Sequence, residues 1–197
     1  MKRWARAGTL VFLAAVIVAA LSPAAPVTAA GNPRCNGNVA GLLERQVRAY
    51  DRRPPAANVG ALTQRYADLD SILQQAQLER DILESQCADD QRLPIDDHLA
   101  GVIAWAYMLQ ADIAGKRFSL LNCPAAVSTV PPALLASAWF ALGSTANGAP
   151  LPAEVMPKLR TRASAIGLAL PPFADASQYW RDSLVGKAVG CPSPSPH

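Results

Sequence analysis

Between Pro94 and Gly115 runs PIDDHLAGVIAWAYMLQADIAG, whose apolar residues recur at helical spacing on more than one side. At 100° per residue, Leu99, Val102, Ile103, Ala106, Leu109 and Ile113 share a face, with Trp105 and Tyr107 on its flanks. The far side carries Ala100, Gly101, Ala104 and Ala111, small enough to let another helix come close. Such a helix needs cover all round, so the pattern predicts a central helix over Asp96 to Ala114 on which everything else packs. Asp96 is expected to cap its start and Gly115 to end it. Gln110 falls within the apolar face; buried there it needs a partner, and its expected role is to fix packing register, with a ligand contact second.

Proline punctuates the rest of the chain, and between the prolines the period is helical with no alternating β-branched run. The spacing predicts a first helix over Asn38 to Tyr50, with Val39, Leu42, Leu43, Val47 and Tyr50 inward and Glu44, Arg45 and Arg48 outside. A second, over Ala57 to Gln86, carries a seven-residue seam: Val59, Leu62, Tyr66, Leu69, Leu73, Ala76, Leu83 and Cys87, interrupted at Arg80. A dimer zipper would show such a seam, but two helices packed at a shallow angle within one domain account for it more simply. A loop over Lys116 to Pro132, a short helix over Ala133 to Leu142 and an exposed GSTANGAP loop follow. A helix over Glu154 to Ile166 is expected to start late or bend at Pro157, and a last one covers Ala176 to Val189. The fold class is all-α: one bundle of five or six helices over residues 31–191, ahead of a Pro/Ser tail (192–197) expected to be disordered. Comparing the helices reveals no internal repeat.

The first thirty residues have the grammar of a secretory signal peptide: Lys2, Arg3 and Arg6, the apolar run Gly8 to Leu21, then small residues. Cleavage after Ala29, with Val27 at −3, or after Ala30, with Thr28 at −3, satisfies the small-residue rule equally. The run spans 14 residues, short of the roughly 17 to 25 that cross a bilayer, so no stable membrane anchor is expected. Cys35 follows Asn-Pro-Arg, which is not a lipidation context. Without the leader, 15 Lys and Arg face 15 Asp and Glu, and the charge carries no argument for nucleic acid. Four cysteines, Cys35, Cys87, Cys123 and Cys191, suggest two disulfides in an oxidising, extracytoplasmic compartment. Of three possible connectivities, Cys35 with Cys87 and Cys123 with Cys191 is favoured, each closing one half of the chain for roughly 3 to 5 kcal/mol.

Chemistry has few places to go. His98 and the tail's His197 are the only imidazoles, and His98 lies near Asp89, Asp90, Asp96 and Asp97. Those oxygens could hold a divalent cation, or an Asp could orient His98 as a base for Ser119 or Ser128. The simpler reading has the aspartates capping a helix start, with His98 at the surface. H-E-x-x-H, G-x-S-x-G and EF-hand spacings are missing, and no cofactor is implied. Glu79, Asp81 and Glu84 read as a solvated face with Arg80, and Lys158, Arg160, Arg162 and Arg181 as a basic helix face or a patch for an acidic partner.

From Ala100 to Leu142, the order of an apolar Gly-containing helix, Phe118, Cys123-Pro124 and a further helix resembles small helical periplasmic immunity proteins that block secreted amidases. The cysteine those proteins carry directly ahead of the apolar helix has no counterpart here, Cys87 being too far upstream. The resemblance implies an inhibitor of a secreted enzyme. The expectation from the residues themselves is an exported, disulfide-stapled binding or interaction protein whose partner is a protein or an envelope component. The alternative is a hydrolase or metal-dependent enzyme centred on His98. The leader makes one direct prediction: intact-mass measurement of the exported protein finds Ala30 or Gly31 as the first residue, and retention of Met1 refutes it.

Overall fold

The central helix is longer than its sequence signals. In the computed structural model, which describes residues 32–121, 130–143, 145 and 149–170, it runs over Asp89–Leu120 (α3) and touches every other element. A 3-10 turn, Pro33–Asn36, precedes α1 (Asn38–Asp51) and α2 (Val59–Gln86); α4 (Val130–Gly143) and α5 (Pro150–Ala165) follow α3. The described residues are all helical, without a strand, and form a single bundle-like domain.

Both proposed boundaries of α3 give way for physical reasons. Asp96 is no cap: the helix starts at Asp89, where Gln91 and Arg92 donate their amides to the Ala88 carbonyl. Pro94 lies inside, and the hydrogen bond it cannot make would have gone to Asp90, whose exposed position leaves that carbonyl hydrated. Gly115 does not stop the helix either, because another turn buries Phe118 against Ala114 and Val130. The same logic corrects α5, which begins at Pro150 rather than Glu154. Pro157 sits within it on the solvent side, one turn from the exposed Ala153. α4 also starts early, at Val130, with Pro131 and Pro132 in its first turn.

From Leu99 to Ala111 every residue of α3 except Tyr107 is buried. One side packs on Leu69, Ile72, Leu73, Ala76 and Leu83 of α2, so the seam is filled within the chain. α1 adds Ala40, Leu43 and Val47, whereas Val39 and Leu42, expected inward, are exposed. The α1 start is fixed by Gly37 in the left-handed region (φ 72°), and its turn exposes that flank. α4 and α5 close the other side with Leu135, Trp139, Leu142, Val155 and Leu159. Gln110 is buried and donates to the Tyr66 carbonyl of α2 (3.3 Å), which ties the register of the two helices.

Cys35 and Cys87 form a disulfide, tying the start of α1 to the end of α2. Closing a loop over a sequence separation of 52 contributes about 4 kcal/mol in the chain-entropy model. Of the two expected disulfides this is the one seen among the described residues; Cys123 and Cys191 lie outside them, as do the leader, the helix expected over Ala176 to Val189 and the tail.

Gly101 is where α5 comes closest. A Cβ there would meet Leu151 Cγ at 2.9 Å and the Pro152 ring at 3.1 Å, whereas one at Gly115 would find only Pro131, 3.9 Å away. Overpacking of this kind costs about 1 to 3 kcal/mol and outweighs the roughly 1 kcal/mol that alanine gains in helix propensity. Denaturant melts should therefore show Gly101→Ala losing about 1 kcal/mol while Gly115→Ala gains a few tenths to about 1 kcal/mol. Equal stabilisation of both would mean that α5 yields at this contact.

Candidate functional site

Two concave regions flank α3. The larger, about 350 Å³, opens where α1 has ended and the chain crosses to α2. Helical steps of three and four place Leu109, Asp112, Ile113 and Lys116 of α3 on one stripe along its wall. Steps of three and four from α2 supply Leu62, Arg65 and Leu69 opposite. The α1–α2 connection contributes Tyr50, Asp51, Arg53, Pro55 and Ala56, and α5 reaches in with Arg162. Ala56, Leu62, Leu69 and Leu109, all buried residues, make the floor apolar, and the charges stand around it.

Those charges are unevenly partnered. Arg162 Nε donates to both Asp112 oxygens (3.1 and 2.9 Å), and Asp51 lies 4.0 Å from Lys158 Nζ. Loss of hydration in the cleft wall pushes the Asp112 carboxyl up, against the pull of Arg162. The Tyr50 hydroxyl donates to Asp68 (2.6 Å); loss of hydration and then that carboxylate push the phenol up, while the same bond holds Asp68 down. Arg53 stacks over the Tyr50 ring at 3.9 Å, and Arg65 donates only to the neutral Pro54 carbonyl (2.7 Å). Among the described residues, Arg53, Arg65 and Lys116 have no salt bridge.

The second region, about 240 Å³, holds His98 with Glu44, Arg48, Pro94, Leu151 and Glu154. His98 Nε2 faces Glu44 Oε2 at 2.8 Å, so its partner comes from α1 and not from the nearby aspartates. Arg48 donates through Nε to Glu44 (2.6 Å) and through both terminal nitrogens to Glu154 (3.0 and 2.5 Å). Burial would raise Glu44, but Arg48 and then His98 hold it below the usual carboxylate range. Arg48 and Lys158 lie over the Trp105 ring, at 4.7 and 4.1 Å. Among the described residues no hydroxyl or thiol side chain lines this region.

The acidic group expected around His98 does not converge. Asp89 to His98 is helix rather than loop, and at 1.5 Å per residue Asp89 and Asp90 lie roughly 12 Å along the axis from His98. Asp89 accepts from Arg92 (2.9 Å), Asp96 takes Arg80 of α2 in a two-pronged pair (2.5 and 3.0 Å), and Asp97 also has an interaction. Ser119 shares α3 with His98 but lies about 30 Å further along it, and Ser128 is outside the described residues. No cluster of three or more potential metal ligands occurs among the described residues. Glu79, expected on a solvated face, is buried, and Arg80 turns to Asp96 instead of Glu84. The basic face on α5 is likewise consumed: Lys158 by Glu154 and Trp105, Arg160 over Trp139 at 5.5 Å, Arg162 by Asp112. Arg181 is outside the described residues.

No protein family matches this chain, and no curated protein or solved structure is significantly similar to it. The Cys35–Cys87 disulfide is compatible with an extracytoplasmic location, and no described helix is long and apolar enough to cross a membrane.

The ion pairs around Arg48 make the domain acid-sensitive in a defined window. The Arg48 hydrogen bond, chiefly, pulls Glu154 down to about 2 from 4.5. A depressed carboxylate contributes stability that is full above the unfolded value and lost as pH falls through the folded one. Glu154 is 37% exposed, so solvent screening keeps the contribution to about 1 kcal/mol or less. Glu154→Gln should therefore melt earlier than wild type at pH 7, with the gap closing between about pH 4.5 and pH 2. A pH-independent gap in thermal melts would assign the effect to packing.

Proposed function

We propose that this chain is an exported, non-enzymatic binding protein that takes its partner, a protein or an envelope component, at the cleft between the α1–α2 connection, α2 and α3. The observation that carries this reading is the cleft itself: an apolar floor with Arg53, Arg65 and Lys116 at its rim, none of them in a salt bridge among the described residues. His98 lies outside this cleft, paired with Glu44 of α1 at 2.8 Å. The proposal includes the leader as the route out of the cytoplasm and a second staple, Cys123 to Cys191.

To test it, the protein is recovered from the extracytoplasmic fraction under mild conditions and whatever it carries is identified by native mass spectrometry. His98→Ala should keep that cargo, whereas Ile113→Asp, at the cleft wall, should lose it with the fold intact by melting curve. A catalytic base contributes roughly 10² to 10⁴ in rate. If His98→Ala removed a turnover of that size with an unchanged melt, an enzyme centred on His98 would replace the binding protein.

A further inference from the structure

We infer that the cleft binds a small single-chain amphiphile with an anionic head, a carboxylate or a phosphate. This rests on the cleft being the binding site and adds the chemistry of what fills it. The volume of about 350 Å³ lies at the small end of ligand pockets, room for one chain and not for a two-chain lipid. The half-buried Ile113 gives that chain an apolar wall, backed by the buried Leu62, Leu69 and Leu109 of the two facing helices.

The head follows from the charges. Both carboxylates of the cleft already have cations, Asp112 from Arg162 and Asp51 from Lys158. Arg53, Arg65 and Lys116 form no salt bridge among the described residues and stand at the rim of the cleft, Arg53 within electrostatic reach of Asp68. An anion seated there accepts charge-assisted hydrogen bonds without displacing an existing salt bridge, whereas a cationic head meets the like charges of Arg53, Arg65 and Lys116. An extended acidic surface is a poorer fit, because the chain without its leader is electrically balanced.

The test is calorimetric titration of the purified mature protein with octanoate, octyl phosphate, octanol, octylamine, acetate and inorganic phosphate. Octanoate or octyl phosphate should bind at one site, about tenfold or more tighter than octanol and than the bare head groups, with octylamine not binding. The preference between the two anions names the head. Lys116→Gln and Arg53→Gln, both exposed positions where folding is not at issue, should weaken the anion severalfold and leave octanol unchanged. Octanol binding as tightly as octanoate, with both lost in Ile113→Asp, overturns the anionic head while the cleft stands as the binding site. No saturable binding of any amphiphile overturns the inference as a whole; the binding-protein reading is decided separately by the cargo of the exported protein.

Discussion

Over the four turns from Leu99 to Ala111, α3 has almost no side facing water, and the other helices are arranged as they are because each must cover part of it. A helix so apolar is stable only when surrounded, so its cover is a condition of the fold. Close approach on the α5 side depends on Gly101, and the buried amide of Gln110 is answered by a carbonyl of α2. Charge is displaced to the margins. Arg48 and Lys158 lay their cationic ends over Trp105 while their partners Glu44 and Glu154 stay half in water. Exposed ion pairs of this kind are worth about 0 to 1 kcal/mol each, so they orient the helices that burial holds together.

The position of the cleft follows from unequal lengths. α3 has 32 residues, about 48 Å, whereas α1 has 14, about 21 Å, and cannot cover it to the end. Once α1 stops at Asp51, the chain must cross to α2, and Arg53 to Ala56 pass over the gap without filling it. On α3 the buried run ends at the same level: Asp112, Gly115 and Lys116 are exposed. Apolar floor and charged rim therefore meet where cover runs out.

Features that depend on one residue's own neighbours along the chain could be read from sequence. The α2 seam, the buried face of α3 and the need of Gln110 for a partner all rest on spacing, whereas the pairing of Cys35 with Cys87 is one of three connectivities that the sequence leaves open. Helix ends could not. Pro94, Gly115 and Pro157 are ordinary stop signals, overruled because the carbonyl freed by each proline faces solvent and because the turn after Gly115 buries Phe118. Burial of Glu79 and exposure of Leu42 depend on which side the neighbouring helices arrive from, which the period alone does not specify. The cleft was the least legible part. Nothing in the pattern singles out Arg53, Arg162 reads as part of a basic helix face, and only the packing of four elements brings them to the same rim.

The disulfide and the cleft sit at opposite ends of the bundle, and this separation bears on what the fold can be used for. Cys35–Cys87 clamps the start of α1 to the end of α2, near the start of α3, where a Cβ on Gly37 would meet Ile95. Leu62 and Leu69, which floor the cleft, lie roughly 30 Å away along α2. A covalent tie at one end fixes the helices that run to the other, so the walls of the cleft come from rigid elements while its rim comes partly from a connection. That division, a fixed scaffold carrying an adaptable edge, is the usual placement of recognition on a helical domain. It leaves the Arg48, Glu154 and Trp105 cluster between the two ends with a structural task, holding α1, α3 and α5 at the spacing from which Arg162 reaches the cleft.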